Sequence, residues 1–303
     1  MKPTLSLNQN DIRNVYHTLG LTEMLTYLRD SDLFDVTYHN DGIRVTKGFR
    51  ASIIYYNGKK IYLDLWEYSL PTYTTQAYDF NFDIIIKVQH KKMCPEGFER
   101  SCQRKRVLKN LTPEERLEFH NKMVPWTFFP SRMMMRFVGK EDEIEKMPIE
   151  QVAFFCGKNW KCRHKISQKV KEWGIDYITS SQELKRGRPL KDDVYFHKMM
   201  TSKFGLVLAG RGSHFTEAKN RREIDYMMLK KPLLLNYKPN YYNPLVEGKH
   251  YIYIDENTEL EKLENMYNIE EIAENGYQWY KENASKEGVV KTFLQIMKDK
   301  FGE

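Results

Sequence analysis

The sequence predicts an α/β protein of two domains, and three observations predict it. The chain has 303 residues, more than one small core organises. Apolar strand-like runs alternate with helix-like stretches through the second half, and an Asn-Gly turn between two apolar runs marks a hairpin in the first. Hydrophobic residues make up 41% of the chain and charged residues 29%, a balance that excludes a disordered tail or a fibrous repeat.

Taken in order, Leu21, Met24, Leu25 and Leu28 follow the i, i+3, i+4, i+7 spacing of an amphipathic helix. Arg50 to Tyr56 and Lys60 to Leu65 flank Asn57-Gly58, the signal for a β-hairpin. Phe82 to Val88, with Ile84, Ile85 and Ile86, reads as a strand covered on both faces. Thr112-Pro113-Glu114-Glu115 supplies an N-cap, a proline at the first helical position and a capping-box glutamate. The charged segment Gly139 to Pro148 ends in proline and a fresh alternation follows, so residues 1–145 and 146–303 are the expected domains. Beyond it, Val152 to Phe155, Asp176 to Thr179, Phe204 to Ala209, Leu233 to Tyr237 and Tyr251 to Ile254 read as strands. Lys165 to Trp173 and Thr216 to Leu229 read as helices, which together imply βαβ units and a parallel sheet. Val289, Val290, Phe293, Leu294 and Met297 form the apolar stripe of a last helix.

Lys plus Arg number 48 against 41 Asp plus Glu, and the net charge of +7 suits an anionic ligand without requiring nucleic acid. Met1 to Asn14 is polar and lacks the apolar core of a secretory signal, and no run nears the roughly 18 apolar residues of a membrane span. The expectation is a soluble, cytoplasmic protein with no membrane span. Cys94, Cys102, Cys156 and Cys162 are too few to staple this length and read as reduced thiols.

The most informative window runs from Phe204 to Glu223. A buried strand leads into Gly210-Arg211-Gly212-Ser213-His214 and then a helix carrying Lys219, Arg221 and Arg222. A parallel strand delivers its loop to the carboxyl edge, where a glycine turn and a helix N-terminus suit a phosphate. A Gly-x-Gly alone is more often a tight turn among solvated basic residues; here strand, loop, helix and basic side chains coincide, which favours the phosphate. Glu217 or Glu223 could accept ribose hydroxyl protons, or merely favour the helix N-terminus. A second window, Phe154-Phe155-Cys156-Gly157-Lys158 with Arg163, empties a strand into glycine and basic residues at the same edge. The bland reading of Lys158 and Arg163 is surface charge. In the first domain a general base needs a carboxylate or imidazole in reach of a substrate hydroxyl. Asp79 and Asp64 are the candidates, with Glu67 and His90 behind them, although each alone is more often structural.

No G-x-x-x-x-G-K-[ST], H-E-x-x-H or G-x-S-x-G occurs, and the cysteine spacings are not those of a zinc finger. Asp30-Ser31-Asp32 could hold a divalent ion but is explained as well by a helix-ending turn. No metal and no cofactor is expected. The run Asn236 to Pro244, with Tyr237, Tyr241 and Tyr242, could stack on a base or sugar ring, or pack as a surface loop.

The window Phe154 to Lys158 with Arg163 is similar to the opening of the donor domain in the exostosin and protein O-glucosyltransferase families. The block Phe204 to Leu235, with Lys231-Pro232-Leu233-Leu234-Leu235, resembles their nucleotide-sugar half. The resemblance covers roughly residues 150 to 300. It implies the GT-B architecture, two Rossmann-like domains facing across a cleft, with a helix from Ser285 crossing back to the first. By that likeness residues 1–145 bind an acceptor and 146–303 a nucleotide-sugar donor. Gly157, Lys158, Arg163, Gly210, Arg211, Gly212, Ser213 and His214 would line the diphosphate, with Arg221 or Arg222 assisting and Glu223 near the ribose. The implied activity is transfer of a sugar, xylose or a hexose, from a UDP-sugar to a hydroxyl of a glycan acceptor, inverting and without a metal. Lacking the membrane anchor common in those families, the chain looks more like the soluble glycosyltransferases of large DNA viruses such as chloroviruses, or of bacteria.

Two other readings compete. The basic stretches Arg100 to Lys109 and Lys185 to Lys191 and the abundant tyrosine would suit a nucleic-acid-binding protein. Against it, basic residues elsewhere are interleaved with acids and no known binding module is visible. The other is a catalytically silent relative that only binds a partner.

Overall fold

The computed structural model describes residues 2–9, 11, 21–40, 51–64, 82–87, 112–127, 130, 134–158, 164–180, 190, 192–209, 217–218 and 221–302. The chain divides into two units, Met1–Phe129 with Asn240–Tyr242 and Ser285–Glu303, and Pro130–Pro239 with Asn243–Ala284. The change-over near residue 130 precedes the charged segment, and the terminal residues group with the first unit.

In the first unit, β1 (Thr4–Asn8), β2 (Asp35–His39), β3 (Ala51–Tyr56), β4 (Lys59–Asp64), β5 (Ile84–Lys87) and β6 (Met123–Pro125) form a six-stranded sheet, ordered β2-β1-β3-β4-β5-β6. β3 is antiparallel to both neighbours and every other pairing is parallel. The reversal comes from Asn57 and Gly58, with φ of 45° and 79°, the two positive values a type I′ hairpin needs. The sheet is therefore mixed, one strand opposing five, and it contains the hairpin expected at Asn57-Gly58. Helix α1 (Leu21–Arg29) buries Leu21, Met24, Leu25 and Leu28, the stripe its spacing predicts. Helix α2 (Pro113–Asn121) opens on a reciprocal capping box. The Thr112 N–H donates to Glu115 Oε2 at 2.7 Å, and the Glu115 N–H to Thr112 Oγ1 at 3.2 Å.

The terminal helix, Lys286–Phe301, starts where Ser285 Oγ accepts from the Gly288 N–H at 3.0 Å and stops at Gly302, φ 73°. Its Phe293 is fully buried, with the rings of Phe34, Tyr56 and Trp126 at 6.1, 5.9 and 6.0 Å. That aromatic knot is what the apolar stripe of the last helix packs against. Asp30, at the end of α1, donates its N–H to the Thr26 carbonyl and pairs with Arg29 at 2.6 Å, so Asp30-Ser31-Asp32 is a helix-ending turn.

The second unit holds β7 (Gln151–Lys158), β8 (Asp176–Ser180), β9 (Ser202–Val207), β11 (Leu233–Leu235) and β13 (Tyr251–Tyr253) in one sheet, ordered β13-β11-β9-β7-β8. All its pairings are parallel. Two short strands, β10 (Glu217–Ala218) and β12 (Lys238–Pro239), pair apart from it. The helices are α3 (Glu141–Glu145), α4 (His164–Glu172), α5 (Asp192–Met200), α6 (Arg221–Met228), α7 (Leu260–Met266) and α8 (Ile269–Asn283). Phe155 on β7 shares a core with Ile166 and Val170 of α4, while its neighbour Phe154 meets Tyr195 of α5 at 5.6 Å and its carbonyl accepts from the Tyr226 hydroxyl of α6. Helices thus cover both faces, which is why Ala153 to Cys156 of β7, Phe204 to Val207 of β9 and all of β11 are buried in unbroken runs rather than alternating. The helix expected over Thr216 to Leu229 is shorter: α6 starts at Arg221 because Glu217 and Ala218 spend their backbone on pairing with Lys238 and Pro239.

Candidate functional site

Counted within the second unit, the sheet order is 2-1-3-4-5: β8 lies on one side of β7, and β9, β11 and β13 lie on the other. The connection from β7 runs one way and that from β8 returns past it, so the chain exits of β7 and β9 diverge. Ligands of open parallel sheets bind at such a switch point, outside the carboxyl ends. Both windows singled out in the sequence leave the sheet there. Gly157 and Lys158 end β7, and Val207, Leu208 and Ala209, all buried, lead out of β9 toward Gly210. Gly210, Arg211, Gly212, Ser213, His214 and Arg163 lie outside the described residues.

The far side of the β9 exit is held by the segment after β11. The Ala209 N–H donates to Asn236 Oδ1 at 2.7 Å, Lys238–Pro239 pairs with Glu217–Ala218, and the Tyr237 hydroxyl donates to Glu223. Glu223 is fully buried in the first turn of α6, where the helix dipole favours its charge. Burial pushes the nearby Tyr251 phenol up to about 12, and the carboxylates of Glu247 and Glu223 add to it. The two arginines of the turn differ. Arg222 lies over the rings of Phe155 and Tyr195, at 5.6 and 5.8 Å, and is turned onto aromatic faces. Arg221, half-buried, opens the helix. Tyr237 and Tyr241 are buried and Tyr242 donates to Asp299, so this tyrosine run is packed rather than offered as a stacking surface.

In the first unit β1, β2, β4, β5 and β6 share one carboxyl edge, and β3 begins there. Among the described residues of that unit, the buried polar side chains are Asn8, Asp11, Ser52, Asp64, Lys87 and Thr127, together with Thr292 on the terminal helix. All but Thr292 stand within three residues of a strand end at that one edge. Asp64 and Lys87 end β4 and β5 in register, with Nζ 3.1 Å from Oδ2 and neither side chain exposed. Burial drives the Lys87 amine below its ordinary value and Asp64 pulls it back up. Asp64, a candidate base from sequence, is thus committed to an ion pair, and deprotonating a substrate would leave Lys87 buried against a neutral acid. Asp79, Glu67 and His90 lie outside the described residues. Sequence reasoning passed over Asp11. It follows β1, donates its N–H to Asn8 Oδ1 at 3.4 Å, and accepts from the Ser52 hydroxyl at 2.5 Å. An Asn three residues before an Asp, directly after the alternating Leu5 and Leu7, was the available signal.

Among the described residues no helix is long and apolar enough to cross a membrane, and no three His, Cys, Asp or Glu side chains gather as a metal site. No protein-family model and no curated protein sequence matches the chain. Among solved structures, the wall teichoic acid polymerase TagF is similar over 89% of this chain and 68% of its own, at 14% identity and a TM-score of 0.31. A superposition that loose assigns neither fold nor chemistry.

Proposed function

We propose that the chain is a glycosyltransferase that moves a sugar, xylose or a hexose, from a UDP-sugar to a hydroxyl of a glycan acceptor. The observation that carries this reading is the switch point of the second unit, from which both glycine-bearing, basic windows depart. In this reading the donor diphosphate sits on the amides of Gly210, Gly212 and Ser213, with Arg211, His214, Lys158, Arg163 and Arg221 supplying positive charge. Glu223 takes the ribose by exchanging the Tyr237 hydroxyl for a sugar hydroxyl, which leaves its hydrogen-bond count unchanged. Arg222 supports the turn from its aromatic contacts.

The first unit supplies the acceptor side. A carboxylate there, Asp79 from the sequence or Asp11 from its place at the carboxyl edge, takes the proton of the acceptor hydroxyl. The oxygen bonds to the anomeric carbon, the bond from that carbon to the diphosphate oxygen breaks, and UDP leaves with the electron pair. Direct displacement inverts the anomeric centre. Charge on the leaving diphosphate is met by the fixed cations, so the reading needs no metal.

Thermal unfolding against a panel of nucleotides and sugar nucleotides tests it. UDP and one UDP-sugar should raise the midpoint saturably; at a hundredfold excess over Kd the gain is about 2.7 kcal/mol. Arg211→Ala or Arg221→Ala should shrink that gain. Asp79→Asn or Asp11→Asn, whichever is the base, should keep it and lose turnover. A chain that ignores every nucleotide but binds RNA or DNA with steep salt dependence is a nucleic-acid binder instead.

A further inference from the structure

Buried charge in the first unit has a place and a company that stability alone does not explain. The preceding residues of the same two strands, Ile61, Tyr62 and Leu63 on β4 and Ile84, Ile85 and Ile86 on β5, are apolar and buried. At the other ends of these strands the charges face water: Lys59 and Lys60 are half-buried, and Asp83 is exposed, accepting from the Lys60 N–H at 2.7 Å. Among the described residues of these strands, it is the carboxyl edge that takes two opposite charges fully out of solvent. An apolar pair of similar volume would hold β4 to β5 at least as well, because desolvating both ions offsets most of their attraction.

A second polar pair marks the same edge from the other face. Ala51 stands opposite Asp64 in the register, so Ser52 projects to the opposite side, where its hydroxyl donates to Asp11. What an ion pair provides and apolar contact does not is direction. A charge-assisted hydrogen bond fixes the two strand ends against each other within a narrow range of distance and angle.

We infer that Asp64 and Lys87 are positioning residues, which hold the carboxyl ends of β4 and β5 in the register on which presentation of the acceptor depends. The inference rests on the glycosyl-transfer reading for what is presented. Neither residue touches substrate, and the pair acts through the backbone it fixes.

The test uses the full chain with both charges removed together, Asp64→Leu with Lys87→Met, since either change alone strands a buried charge and unfolds the unit for trivial reasons. The readouts are the thermal midpoint, the shift of that midpoint by UDP, and release of UDP from the best UDP-sugar in the presence of a panel of mono- and disaccharide acceptors. The expected result is a midpoint at or above wild type, an unchanged UDP shift, and acceptor-dependent UDP release reduced at least tenfold, with the loss in kcat or acceptor KM. A stable double variant with wild-type turnover overturns the inference. If the wild-type chain itself turns over no sugar nucleotide, the glycosyl-transfer reading is what fails, and amide hydrogen exchange decides the positioning role. Exchange at the amides of 61–64 and 84–87 should be faster in the double variant at equal midpoint, and equal exchange refutes it.

Discussion

Replacing Gly205 by alanine should destabilise the second unit far more than a single methyl suggests. Gly205 lies within β9, and a Cβ built there falls 2.5 Å from Tyr226 Cγ and 2.8 Å from its Cβ and Cδ1. Those are the root of the ring rather than its mobile tip, so the whole side chain must move. Tyr226 is 1% exposed and its hydroxyl donates to the Phe154 carbonyl at 3.1 Å. Overpacking of this kind costs about 1 to 3 kcal/mol and the lost hydrogen bond about 1 more, a total of roughly 2 to 4 kcal/mol. For a unit of this size that is a fall in Tm of roughly 5 to 15 °C. Thermal unfolding followed by circular dichroism reads it. The cause is isolated by a double-mutant cycle: in a Tyr226→Ala background the alanine at 205 should cost less than about 1 kcal/mol. Equal costs in the two backgrounds would refute the argument, because the penalty would then belong to the strand and not to the ring. Since β9 feeds the proposed donor site, the variant should also weaken UDP binding.

Two further expectations follow from burial and protonation. Phe293→Ala removes the ring at the centre of the Phe34, Tyr56 and Trp126 cluster and should cost the first unit about 3 to 5 kcal/mol, read by chemical denaturation; a loss below 1 kcal/mol would mean that the terminal helix does not anchor that core. His250 accepts the Val246 N–H on Nδ1 at 2.8 Å, and burial, aided by nearby Lys249, pushes its pKa below the ordinary 6.5. The unfolded chain therefore binds the proton first, so stability should be full above about pH 6.5 and decline as the pH falls below it. His250→Gln should flatten that decline, as measured by Tm against pH, and an unchanged slope would assign the acid sensitivity elsewhere.

What was legible in the sequence is what local chemistry decides. The capping box at Thr112 and Glu115 forms both of its hydrogen bonds, Asn57-Gly58 makes its turn, and the leucines and methionine of α1 all face inward. Illegible were facts that need two distant segments at once. Nothing near Glu217 announces a partner twenty-one residues on, and the pairing of β10 with β12 is what shortens α6. Asp64 looks like a free acid in a strand until the parallel register sets Lys87 beside it.

The same dependence explains why the two halves of the proposed site were unequally readable. In an all-parallel sheet every strand exits at one edge, so a glycine loop following an apolar run is placed at the ligand edge by polarity alone, whatever the strand order. This is why Gly157 and Gly210 could be grouped in advance, and the order then adds that their strands are the neighbours at the switch point. In the first unit one antiparallel strand breaks that logic: β3 brings its beginning, with Ser52, to the edge where the others end. Residues there are assembled from exits and an entry together, and no rule of the form "acid after an apolar run" gathers them. Burial does, because among the described residues of this unit the polar side chains the fold withholds from water, Thr292 of the terminal helix apart, collect along that single edge. If the acceptor is held anywhere on this unit, the free-energy cost of burying those groups is best accounted for there.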